Sequence, residues 1–418
     1  MTLRVMKFGG SSVADADRIK NVARRAMACR RRGDRVVVVV SAPGDMTDDL
    51  ITLAEGVTDK PDEREMDMLL ATGEQVSIAL LSMAIKHNGM DAVSLTGPMA
   101  GIYADLSHTR ARITKIRPTK IFQELAKGRI VIVAGFQGLN PRRDITTLGR
   151  GGSDLTAVAL AAALKADVCE IFTDVEGVYT TDPRIVPEAR KIERISYDEM
   201  LELAGAGAQV MQARSIEVGK KFGVPIHVRT SFTEAEGTLI TGEVPHMEDV
   251  VVSGVAFDRN QAKVSIVDVP DRPGVASHVF GPLADVGVNV DMIIQSAGTD
   301  GLNDISFTIS RTDSKKALTI LEKIRSELGA REVLCDDKVV KVSIVGVGMR
   351  SHPGVAARLF RTLADARINI DMISTSEIKV AVIVRDSDGE KAVRIAHKAF
   401  ALEKAAKPAR ASRRRKSS

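Results

Sequence analysis

Tryptophan is absent and aromatic residues make up only 3% of the 418-residue chain, which argues against recognition by stacking bases on aromatic platforms. Cysteine is scarce as well. Cys29, Cys169 and Cys335 stand far apart with no CxxC spacing, and an odd, scattered set excludes a disulfide framework and a structural zinc site. No GxxxxGK[ST] phosphate loop occurs, and RRDITTLG lacks the asparagine that a protein-kinase catalytic loop places after its aspartate, so those two ATP-using classes are excluded. No apolar run approaches ~18 residues, and the opening MTLRVMKFGG has neither a charged start with an apolar stretch nor a cleavage site. The expectation is a cytosolic protein without a membrane span.

Charge of one sign is short everywhere except at the end. The net charge is +5, but residues 404–418 hold seven Lys and Arg and no acid, so the rest of the chain carries 5 − 7 = −2. The tail, residues 403–418, reads as a disordered, solvated appendage rather than a nucleic-acid or membrane contact.

Apolar residues at 44% and charged residues at 27% are ordinary for a globular chain, and this length calls for two or three domains. Residues 1–230 alternate strand and helix patterns, as an α/β fold with a mainly parallel sheet does. LRVMKF (3–8), RVVVVVSA (35–42), RIVIVAGF (129–136), DVCEIFTD (167–174) and VPIHVR (224–229) read as strands. Ile19, Val22, Ala23, Ala26 and Met27 lie on one helical face that stops near Gly33. Residues 231–260 read as a linker. Beyond them PGVASHVFGPLADVGVNVDMI (273–293) matches PGVAARLFRTLADARINIDMI (353–373) at 12 of 21 positions, and KVSIV occurs at 263 and again at 341. The C-terminal third is therefore two copies of one small α+β unit, 261–337 and 338–402.

Several segments carry chemistry. Lys7, Phe8, Gly9, Gly10, Ser11 and Ser12 end the first strand ahead of a helix; glycines, a helix start and a point charge suit phosphates, although a glycine turn with a surface lysine reads the same way. TLGRGGSD places Arg150, Gly151, Gly152, Ser153 and Asp154 before an Ala-rich helix. There Ser153 or Asp154 can cap the helix while Arg150 grips a carboxylate or phosphate. Glu74 shares a helical face with Leu70, Ile78 and Leu81, so an acid points into the core; it either pairs with an internal base or awaits a ligand's ammonium group. TDVEGVYTTDPR (173–184) follows a strand end, where open α/β sheets bind ligands.

KFGGSS, SAPGDMTD, LATGEQ, TTLGRGGSD, FTDVEGVYTTDPR and ISYDEMLELAGAGA, in this order, resemble the aspartate kinases of the amino-acid-kinase superfamily, and the repeat resembles their paired ACT domains. Ala42, Pro43 and Met99 depart from the common pattern. The resemblance implies a carbamate-kinase-like αβα sandwich followed by two ACT domains. It implies ATP and Mg²⁺ as cofactors, L-aspartate as substrate, and catalysis carried by Lys7, Glu74, Arg150 and Asp174. By the same resemblance Lys7, Phe8, Gly9, Gly10, Ser41, Thr173, Asp174, Tyr179, Asp182, Pro183 and Arg184 would hold ATP. Thr47, Glu74, Arg150, Gly151, Gly152, Ser153 and Asp154 would surround aspartate. The protein ligands of Mg²⁺ stay open.

In the repeats, helix-start N–H groups suit an amino acid's carboxylate and Asn-x-Asp oxygens suit its ammonium. The effector residues so expected are Asp271, Gly274, Val275, Ala276, Asn289, Val290, Asp291 and Gln295 in the first copy. In the second they are Val355, Ala356, Asn369, Ile370, Asp371 and Glu377. Family likeness implies lysine and threonine as inhibitors, a homo-oligomer joined through the ACT units, and a shorter subunit starting at Met247. One copy being purely structural remains an alternative. The rival activities are a kinase of glutamate or N-acetylglutamate, and an amino-acid sensor whose kinase domain is dead.

Overall fold

The structure is a computed structural model that describes all residues except 209, 243–250, 298–300 and 405–418; Met247 and most of the basic tail thus lie outside the described residues. The chain divides into two compact units. The first comprises residues 1–178, 191–204 and 209–245, and the second comprises 179–190, 205–208 and 246–418.

The first unit is built in chain order from β1 (Leu3–Phe8), α1 (Ala16–Arg31), β2 (Arg35–Val40), α2 (Met46–Val57), α3 (Glu63–His87), β3 (Ala92–Leu95), β4 (Ile102–Ala104), β5 (Ile113–Ile116), α4 (Thr119–Ala126), β6 (Ile130–Ala134), β7 (Gln137–Leu139), β8 (Ile145–Thr147), α5 (Gly152–Leu164), β9 (Val168–Thr173), β10 (Arg194–Ser196), α6 (Tyr197–Gly205), α7 (Ala213–Phe222), β11 (Ile226–Thr230) and β12 (Thr238–Thr241). Eight strands form one sheet in the order β10-β12-β11-β9-β1-β2-β6-β3. Every pair in it is parallel except β11 with β12. Its central strands are β-branched runs with almost no polar residue: Val36 to Val40 and Ile130 to Val133 are all 0% exposed, as expected of a sheet covered on both faces. The apolar face of α1 buries Ile19, Val22, Ala23, Ala26 and Met27 in the same core as β2 and β6. A small sheet, β5-β4-β7-β8, completes the unit. By length and composition α3 could cross a membrane, yet it carries the buried acids Asp67 and Glu74 and packs on α1 and β8.

The second unit contains β13 (Gly254–Pro270), α8 (Val275–Asp285), β14 (Val290–Ala297), β15 (Leu302–Ser310), α9 (Ser314–Leu328), β16 (Glu332–Val345), α10 (Val355–Asp365), β17 (Met372–Thr375), β18 (Lys379–Arg385) and α11 (Gly389–Ala399). The two repeats share a single antiparallel sheet, β14-β15-β13-β16-β18-β17. Strands β13 and β16 each serve both copies. Residues Gly254–Asp258 of β13 pair with Lys341–Val345 of the second copy, while Val264–Val267 pair with Glu332–Cys335 at the end of the first. The stretch read as a linker therefore carries β12 of the first unit and the opening of β13. Each copy keeps its own core, around Val279, Leu283 and Phe307 in the first and Leu359, Leu363 and Val382 in the second.

Candidate active site

Because β1, β2, β6, β9 and β11 are parallel, their C-terminal ends share one edge, and hydrogen bonds continue past the strands there. Gly9 N donates to Phe172 O (3.3 Å), Ser41 N to Phe8 O (3.1 Å), Gly135 N to Val40 O (3.0 Å) and Ser231 N to Thr173 O (3.0 Å). This is the edge at which open α/β sheets bind ligands. Lys7, Phe8, Gly9, Gly10, Ser41, Thr173 and Asp174 all lie on it.

Lys7 is 9% exposed, and its Nζ is 2.6 Å from Asp154 Oδ1. A pair from segments nearly 150 residues apart thus joins the two glycine-rich motifs. Asp154 sits inside α5 and does not cap it. The N-cap is Gly151, at φ 73° with no side-chain cap, and Ser153 instead packs under Gly135, where a Cβ would stand 2.6 Å from its Oγ. The helix expected directly after GGSS also begins later, at Ala16, with Asp15 accepting from Arg18 N; Gly10–Ser12 form a short 3₁₀ turn.

The glycines meet protein rather than open space. A Cβ on Gly10 would be 2.9 Å from the carbonyl oxygens of Ala42 and Gly44, and one on Gly152 would be 2.9 Å from Leu148 and Phe136. Their absence of side chain lets loops close on one another, so glycine count alone was a weaker ligand signal than the sequence suggested. Gly9 differs: its nearest neighbour would be Lys7 Nζ, at 3.5 Å.

Among the described residues no base pairs with Glu74. Its Oε1 accepts from Ala42 N at 3.2 Å, its Oε2 is buried without a partner, and the residue is 3% exposed. Burial pushes the carboxyl up from the ordinary 4.5 to about 7, against the pull of the backbone donors. A neutral or half-ionised acid beside an empty acceptor is the arrangement a cationic ligand group would complete. Arg150 is the reverse. Its side chain is 92% exposed and touches Asp48 of α2 at 3.3 Å, next to Thr47, while its backbone is held by Gln212 Nε2 donating to Arg150 O at 2.7 Å.

Tyr179, Asp182, Pro183 and Arg184 belong to the second unit. There Arg184 grips Asp182 with two nitrogens, at 3.0 and 2.7 Å. Val255 N donates to Thr180 O at 2.7 Å, Thr180 Oγ1 meets His397 Nε2 at 2.9 Å, and Ile185 and Val186 enter the second copy's core. Burial holds His397 below the usual imidazole value. Nothing in the pattern of residues 179–190 signals that this loop changes unit.

In the repeats, α8 and α10 start after Gly274 and Gly354 at φ 97° and 95°, which brings Asp271, Val275 and Ala276, and Val355 and Ala356, to the two helix starts. Asn289, Val290, Asp291 and Gln295 run onto edge strand β14, and Asn369, Ile370 and Asp371 lead into edge strand β17. Asp291 is already engaged: Lys341 Nζ hydrogen-bonds it. Asp371 faces Arg385 Nε at 3.7 Å, and Glu377 pairs with Arg350 at 2.9 Å. Among the described residues no group of three His, Cys, Asp or Glu is placed to hold a metal ion.

The fold and this edge define the class: residues 2–230 match the amino acid kinase family, and residues 264–329 and 342–400 each match the ACT domain. The chain is 53% identical to an aspartate kinase of Pseudomonas putida over 96% of its own length and 98% of that protein. It is 50% identical to an aspartokinase of Mycolicibacterium smegmatis, over 96% and 97%. Its fold superposes on Escherichia coli aspartokinase III in complex with aspartate and ADP at a TM-score of 0.81, with 26% identity, covering 95% of this chain and 99% of that one. The same enzyme with lysine and aspartate superposes at 0.76, again with 26% identity and covering 95% and 99%. The chain belongs to the aspartate kinases of the amino acid kinase family.

Proposed function

We propose that the protein transfers the γ-phosphoryl group of ATP to the side-chain carboxylate of L-aspartate, giving 4-phospho-L-aspartate and ADP, under feedback control by lysine and threonine at the ACT repeats. This would open the synthesis of lysine, threonine and methionine, in the cytosol. The observation that carries the reading is the joined pair Lys7–Asp154 on the same sheet edge as Glu74, whose second oxygen has no partner.

A bond forms between a carboxylate oxygen and the γ-phosphorus, and the bond from that phosphorus to the β,γ-bridging oxygen breaks. No general base is needed, because a side-chain carboxylate of ordinary pKa near ~3.9 is already ionised at neutral pH. The difficulty is bringing two anions together. Lys7, held in place by Asp154, supplies positive charge where the phosphoryl group passes, and rigid backbone around Gly9 and Ser41 positions the nucleotide. Thr173, Asp174, Tyr179, Asp182, Pro183 and Arg184 take the rest of ATP. Mg²⁺, when bound with ATP, would supply the charge that neutralises the phosphates. At the aspartate end, Glu74 meets the ammonium group and Arg150 exchanges Asp48 for the α-carboxylate, with Thr47, Gly151, Gly152 and Ser153 around them. The likeness to a relative crystallised with aspartate and ADP, and with lysine and aspartate, supports both halves of this reading.

Homo-oligomerisation through the ACT units, and a shorter subunit starting at Met247, belong to the same proposal. A coupled ADP-release assay with aspartate, glutamate and N-acetylglutamate tests the activity, repeated with lysine and threonine singly and together. ADP release with aspartate alone is expected; lysine binding without any phosphoryl transfer would leave a sensor with a dead kinase domain.

A further inference from the structure

A second acid on α3 is buried more deeply than Glu74 and is handled in the opposite way. Asp67 is 0% exposed, and its carboxylate receives hydrogen bonds from two distant stretches. His108 Nδ1 stands 2.7 Å from Oδ2. Thr109 N is 3.1 Å from both oxygens, and Thr147 gives its N–H at 3.0 Å and its hydroxyl at 2.5 Å to Oδ1. A buried carboxylate is tolerated when donors converge on it in this way. What matters is what the donors are attached to.

Thr147 opens the loop that ends at Arg150. Downstream, Leu148 N donates to Phe136 O at 2.8 Å, Arg214 Nη1 to Leu148 O at 2.9 Å, and Gln212 Nε2 to Arg150 O at 2.7 Å. Thr109 is held at φ 61°, an uncommon conformation for a threonine, and its carbonyl lies 3.4 Å from where a Cβ on Gly149 would be. The loop backbone is thereby clamped from Thr147 to Arg150, and only the guanidinium, 92% exposed, is left to swing. Asp67 and Glu74 are seven residues apart on one helix, which is two turns, so they share a face about 10 Å apart along the axis.

We propose that Asp67 is the positioning residue of the amino-acid end of the site: it bolts the arginine loop to the helix that carries Glu74, and so sets the separation between the group for the substrate's α-carboxylate and the group for its ammonium. His108, with a side chain 19% exposed, closes the outer side of that joint. The inference rests on the proposed reaction and deepens it. An amino acid carries its ammonium and α-carboxylate on one carbon, so a fixed spacing between their receptors is what such a substrate requires.

The test is steady-state kinetics of the full-length enzyme and of Asp67→Asn, with His108→Ala and His108→Asn alongside. Asp67→Asn should raise the aspartate KM about tenfold or more while kcat and the ATP KM stay within about threefold. His108→Ala should raise the aspartate KM several-fold, and His108→Asn, whose amide can still donate to the carboxylate, should restore most of it. Equal rises in both KM values, a fall confined to kcat, or a folded Asp67→Asn with unaltered aspartate KM would overturn the inference. If Asp67→Asn does not fold, the histidine pair decides: identical aspartate KM values in wild type and His108→Ala overturn it. A wild type that releases no ADP with aspartate sinks the proposed reaction, a result distinct from an active wild type whose variants behave like it.

Discussion

Glu74 in the first unit and Lys341 in the second are each 3% exposed, yet they are paired in opposite fashion. Glu74 has one backbone donor and one bare oxygen, whereas the Lys341 ammonium is enclosed by Asp291, by Asp258 at 3.9 Å and by Gly205 O at 3.4 Å. Burying a charge is expensive unless it is paired. An acid left half-paired is what the proposed aspartate site would complete, and a lysine fully engaged acts as a brace. The brace also grips Asp291, one of the residues expected to receive an effector's ammonium group. A bound amino acid would then have to displace Lys341, and its release would be felt at Asp258 and Gly205.

The largest effect that would sharpen this contrast is at Lys7, the buried lysine of the proposed catalytic edge, which among the described residues pairs with Asp154. Lys7→Ala should lower kcat on the order of 10³-fold, the scale of losing a preorganised donor to transition-state charge, with the aspartate KM changing far less. A folded Lys7→Ala protein with wild-type kcat would break the assignment.

Glu74→Gln comes next. The aspartate KM should rise about 10- to 100-fold, as for loss of a charged hydrogen bond, in a titration at fixed ATP. The wild-type KM for aspartate should fall as pH rises from 6 to 8, because ionisation of a carboxyl raised to about 7 creates the charge that an ammonium seeks; the Gln variant should lose this slope. Stability runs the other way. The folded carboxyl is raised above its unfolded value, so its contribution is complete below about pH 4.5 and is lost as pH rises through about 7. Glu74→Gln should therefore unfold at higher denaturant than wild type at pH 8, by up to about 3 kcal/mol at 1.36 kcal/mol per pKa unit, and match it near pH 4.5. Equal stability at pH 8 would mean that burial does not raise the Glu74 carboxyl.

Arg150→Lys should raise the aspartate KM about tenfold, since a single ammonium cannot reproduce the planar fork; its exposed side chain predicts no change in melting temperature. The smallest effect is expected at the brace. Lys341→Met should cost about 1 kcal/mol, because Asp291 is partly exposed, and should let lysine inhibit at several-fold lower concentration in the ADP assay by freeing Asp291. An unchanged or weaker response to lysine would argue that Lys341 and the effector do not compete.

Much of the sheet was legible because parallel strands covered on both faces must be apolar along their whole length, and Val36 to Val40 or Ile130 to Val133 admit no other reading. Glu74 was legible because an acid breaks a helical apolar face. Asp67 was not singled out, although it is one of the same helix's buried residues, since its meaning lies in partners 41 and 80 residues away. The capping of α5 was misread because local spacing cannot show that Lys7, far upstream, claims Asp154. The glycines were over-read for the same reason: what a missing Cβ makes room for depends on which loop arrives there. Residues 179–190 gave no warning of their unit, as Ile185 and Val186 are two apolar residues in a stretch without periodicity.

Strands β13 and β16 have a consequence for how this gene can be shortened. Each runs through both copies, with Gly254–Asp258 and Lys341–Val345 paired in the second and Val264–Val267 and Glu332–Cys335 paired in the first, so deleting one repeat cuts both strands in mid-length. A translation product beginning at Met247 would start ahead of Gly254 and keep all six strands. It would lack Ile185 and Val186, which stand in the second copy's core.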